Sequence, residues 1–155
     1  MIDVGAYVGD STIAFARRGA AVHALEPSVA FCRFIRRNLE ANALASRVVV
    51  HEVGLADRAG ETAARNDRLH FVEGVAYCLE HLPQAVDMLK LDCEGAEYHL
   101  LADPRFLAHL RPREIRMEYH RGPQAIARYL AEAGYTVELD RDSGPVGLLR
   151  ALRKS

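Results

Sequence analysis

Short apolar segments alternate along the chain with longer segments whose apolar residues recur at close to the helical period. The apolar segments predict strands and the periodic segments predict helices, because side chains repeat every two residues in a strand and about every 3.6 in a helix. The predicted strands cover residues 2–4, 21–25, 47–53, 86–91, 114–119, 135–139 and 146–152. The predicted helices cover residues 11–18, 28–42, 96–110 and 123–133.

Local signals mark the ends of several of these elements. Ser28 is a typical N-cap for the second helix, and Asp103-Pro104 breaks or restarts the third. Gly134 is a typical stop signal after the fourth helix. The last two strands are joined by the segment DRDSGP, which is rich in turn residues and predicts a hairpin.

The segment between the third and fourth strands is less regular. Residues 55–68 are polar and mixed, which predicts a loop with a short hairpin, and residues 69–86 predict a strand followed by a helix near 75–82. Elsewhere strands alternate with helices, which implies a mostly parallel sheet covered on both faces. We therefore predict an α/β fold, a Rossmann-like three-layer sandwich with a mostly parallel seven-stranded sheet and an antiparallel last strand. Ligands of such sheets bind beyond the carboxyl ends of the strands.

Length and composition limit the classes of function. The 155 residues suit a single domain covering 1–155, and 50% hydrophobic with 26% charged residues is ordinary for a globular protein. The net charge of −1 gives no reason to expect a nucleic-acid partner. No apolar run approaches the ~20 residues that cross a bilayer, so no membrane association is expected.

The cysteines and the first residues bear on cellular location. Three cysteines without CxxC spacing argue against a disulfide framework or a zinc site. They favour a reducing, cytoplasmic environment. The N-terminal segment MIDVGAYVGD lacks the basic region of a signal peptide.

Glycines and acids follow the first two strands. The first strand leads into DVGAYVG, in which Gly5 and Gly9 allow a tight turn and a close approach of backbone to ligand. The second strand ends at Glu26, 21 positions after Gly5, where an acid is suited to accept hydrogen bonds from ribose hydroxyls. A cofactor containing a nucleoside is therefore expected at this edge. The alternative is that both glycines serve only strand-to-helix packing.

The spacing of the loop discriminates between cofactors. Its pattern is D-x-G-x-x-x-G, and Tyr7 stands where the dinucleotide fingerprint has the glycine that admits pyrophosphate. No Gly-Lys-Ser/Thr follows, so the loop is not a phosphate-binding P-loop. A cofactor without phosphates, S-adenosylmethionine, therefore fits better than a nicotinamide dinucleotide. A nicotinamide-dependent oxidoreductase is the rival enzyme.

Three segments together resemble the FkbM-type class I methyltransferases. They are MIDVGAYVGDST, HALEPS and MLKLDCEGAEYHLL, and the later RMEYH resembles the family's E-x-H segment. The similarity covers roughly residues 2–120, and its most specific part is KLDCEGAE. It implies the class I methyltransferase fold, S-adenosylmethionine as cofactor and S-adenosylhomocysteine as product. It also implies methyl transfer, usually to a hydroxyl of a sugar or another small molecule.

The resemblance further implies which residues bind the cofactor. Asp3 and the loop glycines would line its methionine portion, and Glu26 would bind the ribose hydroxyls. Gly54 and Leu55 would lie near adenine, and Asp92 would face the sulfonium or the acceptor. The full expected set is Asp3, Gly5, Ala6, Tyr7, Gly9, Asp10, Ser11, Glu26, Pro27, Gly54, Leu55 and Asp92.

Four polar residues at the same edge are candidates for catalysis, namely Asp92, Glu94, Glu118 and His120. A hydroxyl acceptor benefits from a base, and histidine has a pKa naturally near neutrality. The alternative for His120 is a loop histidine with a structural partner. Glu94 and Glu97 also suit the start of the following helix, where acids are favourable. Lys90 is expected to pair with a nearby acid.

The four catalytic candidates also carry oxygen and nitrogen atoms suited to a divalent ion. Nothing in their spacing requires one, and no metal site is expected. The remaining histidines are scattered and form no ligand pair.

Methyltransferases of this class usually carry helices upstream of the first strand that cover the cofactor and help to select the acceptor. Only Met1 precedes Ile2 in this sequence. The pocket is therefore expected to be less enclosed. Either the chain is a minimal form or a truncated product, or a homodimer contact or a partner chain covers this edge. A degenerate cofactor-binding module without activity is the non-enzymatic alternative.

Overall fold

The computed structural model describes residues 1–64 and 67–154 and arranges their strands in two sheets. The strands are β1 (Ile2–Val4), β2 (Val22–Leu25), β3 (Val48–His51), β4 (Gly54–Ala56), β5 (Gly60–Ala64), β6 (Asp67–Glu73), β7 (Met88–Leu91), β8 (Glu114–Tyr119), β9 (Tyr135–Ser143) and β10 (Val146–Arg153). The helices are α1 (Asp10–Arg17), α2 (Val29–Ala41), α3 (Gly74–His81), α4 (Glu97–Ala102), α5 (Pro104–Leu110) and α6 (Gln124–Glu132), with a 3₁₀ turn at Ala45–Arg47.

The main sheet has seven strands in the order β3-β2-β1-β7-β8-β10-β9. Neighbouring strands from β3 to β8 are parallel, whereas β10 is antiparallel to both β8 and β9. The predicted α/β fold, with a mostly parallel seven-stranded sheet and an antiparallel last strand, is confirmed. The last strand lies between β8 and β9, so it is not at the edge of the sheet.

Helices cover the sheet on both faces, and each face has its own apolar core. In β1, Ile2 and Val4 pack against residues of α3 to α6 on one face. On the other face, α1 and α2 contribute Ala16, Ile35 and Leu39 to a smaller core. This alternation follows from the two-residue repeat of a strand. Asp3 departs from the apolar character of these cores, because it is a charged residue that lies fully buried between two apolar neighbours in β1.

The predicted helix ends have identifiable caps. The Ser28 hydroxyl accepts a hydrogen bond from the backbone N–H of Phe31 at 3.0 Å, as an N-cap does. The Asp103 carboxylate accepts from the N–H of Arg105 at 2.9 Å, and Pro104 occupies the first turn of α5. The predicted interruption at Asp103-Pro104 is therefore confirmed as the boundary between α4 and α5.

A three-stranded sheet in the order β4-β6-β5 fills the insert before β7. The predicted hairpin is β5 with β6, although residues 65 and 66 of that segment lie outside the described residues. The pairing of β4 with β6 was not predicted. The insert is fastened to the start of α2, because the Asp67 carboxylate accepts from the Ser28 hydroxyl and from the N–H of Ala30. The N–H of His70 also donates to the carbonyl of Pro27 at 3.0 Å.

The three cysteines are free thiols, with Cys32 and Cys78 buried and Cys93 partly exposed. Among the residues that the structure describes, no helix combines the length and apolar character that crossing a membrane requires.

Two histidines that are distant in sequence meet on the sheet face beneath α3. Nδ1 of His23 lies 3.0 Å from Nε2 of His51, and Nδ1 of His51 lies 2.9 Å from the Tyr77 hydroxyl. The parallel pairing of β2 with β3 produces this contact, which the sequence analysis did not anticipate. Burial, reinforced by the charges of His23 and His81, lowers the pKa of His51 to about 4. Burial also lowers the pKa of His23.

These lowered pKa values make folding stability sensitive to acid. The unfolded chain takes up protons on these histidines below about pH 6.5, whereas the folded chain resists protonation until lower pH. Stability is therefore complete above about pH 6.5 and is lost as the pH falls towards the folded pKa of His51. Because His51 is partly exposed to solvent, we expect a loss of only about 1–2 kcal/mol between pH 7.5 and pH 5.

Urea unfolding of the protein and of a His51→Gln variant at the two pH values measures this effect. The variant lacks the titrating ring and should lose about 1 kcal/mol less stability on acidification. Equal losses in the two proteins would assign the acid sensitivity to other groups.

Candidate active site

The carboxyl ends of β1, β2 and β7 open onto a cleft of about 610 Å³. Most of the expected cofactor residues line it, as do several that were not expected. The residues around the cleft are Val4, Gly5, Tyr7, Asp10, Ser11, Glu26, Pro27, Phe31, Gly54, Leu55, Leu69, Phe71, Lys90, Asp92, Cys93 and Glu94. Asp3, Ala6 and Gly9 belong to the expected set but do not line the cleft.

The loop after β1 passes very close to the end of β7. Gly5 has a left-handed φ of +76°, and its N–H and that of Ala6 donate to the carbonyl of Leu25 at 3.0 and 3.1 Å. A Cβ atom on Gly5 would lie 1.7 Å from the carbonyl oxygen of Asp92. Glycine is therefore required here by both conformation and space.

Gly9 serves packing between helices and does not face the cleft. It has a φ of +89° at the start of α1, and a Cβ atom there would lie 3.3 Å from the side chain of Ile35. For this glycine, the packing alternative describes the structure better than the expected contact with cofactor. Ala6 is likewise buried within the smaller apolar core.

Asp3 lies beneath the loop and organises it from below. Its Oδ2 accepts hydrogen bonds from the hydroxyls of Ser11 and Thr12, both at 2.7 Å. Nζ of Lys90 lies 3.1 Å from Oδ1, outside hydrogen-bond geometry, so that this oxygen has an ion-pair partner but no hydrogen-bond donor. Asp3 therefore supports the loop from beneath, and its expected contact with the methionine portion stays a prediction.

Lys90 has the acidic partner expected for it. Asp3 and Lys90 are paired in register across β1 and β7, which places a cation beside the buried carboxylate. Lys90 also donates to the carbonyl of Gly5 at 3.0 Å. A charged residue is tolerated in this central strand because its charge is compensated and its end reaches the cleft.

Glu26 is held rigidly at the end of β2. It is only 6% exposed, and its Oε2 and Oε1 accept from the N–H groups of Tyr7 and Ser28 at 2.9 and 3.0 Å. Burial raises the pKa of Glu26, although the two N–H groups act in the opposite direction. Each carboxylate oxygen accepts more than one hydrogen bond, so Glu26 retains acceptor capacity for a ligand hydroxyl pair.

The insert contributes one wall of the cleft. Leu69 and Phe71 of β6 face Gly54 and Pro27, and a Cβ atom on Gly54 would lie 2.7 Å from the Phe71 ring. Gly54 therefore makes room for an aromatic ring beside the expected adenine position. The sequence analysis missed this wall, although the alternating apolar residues of 69–72 were a usable signal.

The four catalytic candidates meet because β7 and β8 are adjacent. Nε2 of His120 lies 4.0 Å from Asp92 Oδ1, 3.6 Å from Glu94 Oε2 and 4.0 Å from Glu118 Oε1. Asp92 and Glu94 line the cleft, whereas Glu118 and His120 are not among its lining residues. Glu94 has a left-handed φ of +55° and precedes α4, so it is not part of that helix.

Glu97 has the expected place at the start of a helix and a second contact that was not predicted. It begins α4 as expected, and its Oε2 accepts from the N–H of Gly95 at 2.9 Å. It is also fully buried, and its Oε1 lies 2.8 Å from Nδ1 of His120. Burial alone would lower the pKa of His120, but the hydrogen bond and charge of Glu97, with Glu94 and Asp92, raise it.

Asp92, Glu94 and His120 each offer one potential metal ligand, and these atoms lie within 4.8 Å of one another. Exposed acids commonly lie this close without an ion. The absence of a metal from the site therefore stays a prediction.

Comparisons with known proteins agree with this geometry. The family model described as the methyltransferase FkbM domain matches residues 3–137. Methyltransferase FkbM from Methylobacillus flagellatus KT superposes with a TM-score of 0.73 at 19% identity, over 98% of this chain and 42% of that one. This chain therefore spans less than half the length of that structure. A comparison of the sequence with curated proteins gave no match.

Two further solved structures share the fold. The ribosomal protein L11 methylase from Lactobacillus delbrueckii subsp. bulgaricus has a TM-score of 0.65 at 19% identity, over 99% of this chain and 69% of that one. The glycopeptide N-methyltransferase MtfA, complexed with sinefungin, has a TM-score of 0.57 at 12% identity, over 99% and 80% of the two chains. The sequence match, the strand order and the placement of the cleft agree, and the chain belongs to the FkbM methyltransferase family.

Proposed function

We propose that this chain binds S-adenosylmethionine in the cleft and transfers its methyl group to a hydroxyl of a small molecule or sugar. The observation that carries the proposal is the placement of Glu26. Its buried carboxylate is fixed by two backbone N–H groups and lines the same cleft as Asp92, whose Oδ1 lies 4.0 Å from Nε2 of His120.

The residues around the cleft fit this cofactor. Glu26 would hold the ribose hydroxyls, and the wall formed by Leu55, Leu69 and Phe71 would contact adenine. Asp10 and Ser11 would face the amino-acid portion. The neighbouring structure of MtfA, complexed with the analogue sinefungin, supports this assignment at the level of the fold.

The chain's own residues account for positioning and proton removal. When bound, S-adenosylmethionine supplies a methyl group activated by its sulfonium. Rigid placement of the two reactants can contribute up to ~7–11 kcal/mol in favourable model systems. Nε2 of His120 is directed toward the mouth of the cleft, where it would take the proton of the acceptor hydroxyl. Asp92 and Glu118 would accept hydrogen bonds from the acceptor.

The rival dinucleotide enzyme is disfavoured by Tyr7. Its N–H is committed to Glu26, and its ring packs edge-on against Phe31 with centroids 4.5 Å apart. The loop therefore presents a bulky side chain at the position where a pyrophosphate needs close backbone approach.

Calorimetric titration with S-adenosylhomocysteine and, separately, with NAD tests the proposal. Binding of S-adenosylhomocysteine in the micromolar range, without comparable binding of NAD, is the expected result. Binding of NAD alone would overturn the proposal in favour of the oxidoreductase. Binding of neither would favour a module without activity.

Replacing Glu26 with alanine should weaken the binding of S-adenosylhomocysteine by roughly 10- to 100-fold, because charge-assisted hydrogen bonds contribute about 1.5–3 kcal/mol. A modest fall in melting temperature should accompany it, since the N–H groups of Tyr7 and Ser28 lose their acceptor. Calorimetric titration measures the affinity. Glu40→Ala, an exposed acid on α2, is the control and should bind normally. Unchanged affinity in Glu26→Ala would remove the ribose role.

A further inference from the structure

One buried carboxylate holds two parts of the site together. Oε2 of Glu97 accepts from the N–H of Gly95 at 2.9 Å and lies 3.4 Å from Sγ of Cys93, so it fixes the loop that follows β7. Oε1 lies 2.8 Å from Nδ1 of His120, the residue that follows β8. Among the residues that the structure describes, His120 is its only partner able to carry a positive charge.

This contact selects the form of the imidazole ring. A carboxylate only accepts hydrogen bonds, so the proton of the ring must sit on Nδ1. Nε2 is then the nitrogen available for chemistry, and it is the one directed toward Asp92, Glu94 and Glu118. The ring is 15% exposed, which leaves little room for another orientation.

The next residue of α4 fixes the backbone at the same place. The Tyr98 hydroxyl accepts from the N–H of Arg121 at 2.7 Å and donates to the carbonyl of Gly122 at 2.7 Å. The first two residues of α4 therefore hold His120, one through its side chain and the other through the backbone that follows it. His120 is thus restrained once at its side chain, by Glu97, and once through the backbone that follows it, by Tyr98.

We infer that Glu97 is a positioning residue for methyl transfer, holding His120 with Nδ1 protonated so that Nε2 faces the acceptor. The inference rests on the proposed function, in which His120 takes the proton of the acceptor hydroxyl. Glu97 does not line the cleft, so it acts through His120 and not on the cofactor. A purely structural pairing would also shift the titration of His120 when the Glu97 charge is removed, but it would leave the pH profile of kcat unchanged.

Glu97→Gln tests the inference through the ionisation of His120. The charges facing the ring are those of Glu97 on α4, Asp92 and Glu94 on the loop before it, and Glu118 on β8. Removing the buried and closest of these charges should move the titration midpoint of His120 about 1 pH unit lower. The acid limb of the kcat profile should move in the same direction, and the plateau should fall about 10-fold as the ring loosens.

Glu97→Asp separates charge from position. It keeps the negative charge on a shorter side chain, so the titration midpoint should stay near that of the wild type while kcat falls. Glu97→Asp also provides the test of the inference if Glu97→Gln does not fold. Glu40→Gln, which removes an exposed charge on α2, is the matched control and should change neither quantity.

Nuclear magnetic resonance titration of the His120 ring in the cofactor-free protein gives a readout that does not require activity. A shift in Glu97→Gln together with a fall in kcat supports the inference, and an unchanged titration overturns it. If Glu97→Gln does not fold, a normal kcat in Glu97→Asp overturns it instead. Absence of methyl transfer by the wild type would overturn the proposed function, and the titration would still decide whether Glu97 controls the ring.

Discussion

Replacing Gly5 with alanine is expected to destabilise the protein by about 3–5 kcal/mol and to abolish binding of S-adenosylhomocysteine. The residue has a left-handed φ of +76°, and the added Cβ atom would lie 1.7 Å from the Asp92 carbonyl oxygen. That neighbour is backbone, so relief requires the ends of β1 and β7 to separate. The movement would displace both the loop and Asp92, which both line the cleft.

Thermal unfolding and calorimetric titration together check this result. Gly19→Ala is the matched control, because Gly19 also has a left-handed φ, of +94°, but nothing lies within 4 Å of the added Cβ atom. It should cost only about 1 kcal/mol, the conformational part of the penalty. Similar losses in the two variants would show that the close approach of β7 does not restrict position 5.

Replacing His120 with alanine is expected to lower turnover by about 10²–10⁴-fold, the usual contribution of a general base. Affinity for S-adenosylhomocysteine should change by no more than a few-fold, because His120 does not line the cofactor cleft. Asp92→Asn should also reduce turnover more than binding, although Asp92 does line the cleft. Methyl transfer from labelled cofactor to a panel of hydroxylated acceptors measures the rates.

The pH profile gives a second check on the base. The raised pKa of His120 means that the neutral, proton-accepting ring becomes more abundant as the pH rises above 6.5. Turnover of the wild type should therefore increase with pH through this region, and the residual turnover of His120→Ala should not. His70→Ala, an exposed histidine on β6, is the control. Full turnover in both His120→Ala and Asp92→Asn would place the base elsewhere or show that none is needed.

The fold could be predicted because its elements carry independent local signals. Strand lengths, the Ser28 cap and the Asp103-Pro104 break each predict an element or a boundary without knowledge of the others. The structure of the insert was harder to predict. The three residues of β4 do not determine its pairing, because its partner β6 lies 15 or more positions later in the chain. A strand of three residues is too short to show a periodic pattern.

Site residues could be predicted from the sequence where they directly follow a strand. Glu26 and Asp92 follow their strands directly, so their place at the cleft could be inferred from parallel pairing. Asp3 and Glu97 could not be placed in this way. Whether an acid faces a cleft or the interior depends on which helix covers it, and Asp3 lies under α1 while Glu97 lies behind His120. The sequence explains Glu97 as an acid at the start of a helix, and nothing in it indicates that Oε1 contacts His120.

The position of β10 has a consequence for how the chain folds. Because the sheet order ends β8-β10-β9, β9 joins the sheet only through a strand that follows it in the chain. β9 therefore has no strand partner in this sheet until β10 has docked beside it. The register of β8 and β9 is settled together when residues 146–153 arrive between them. A folding intermediate in which β10 has not yet docked would therefore expose two open strand edges, those of β8 and β9, the state in which such intermediates most readily aggregate.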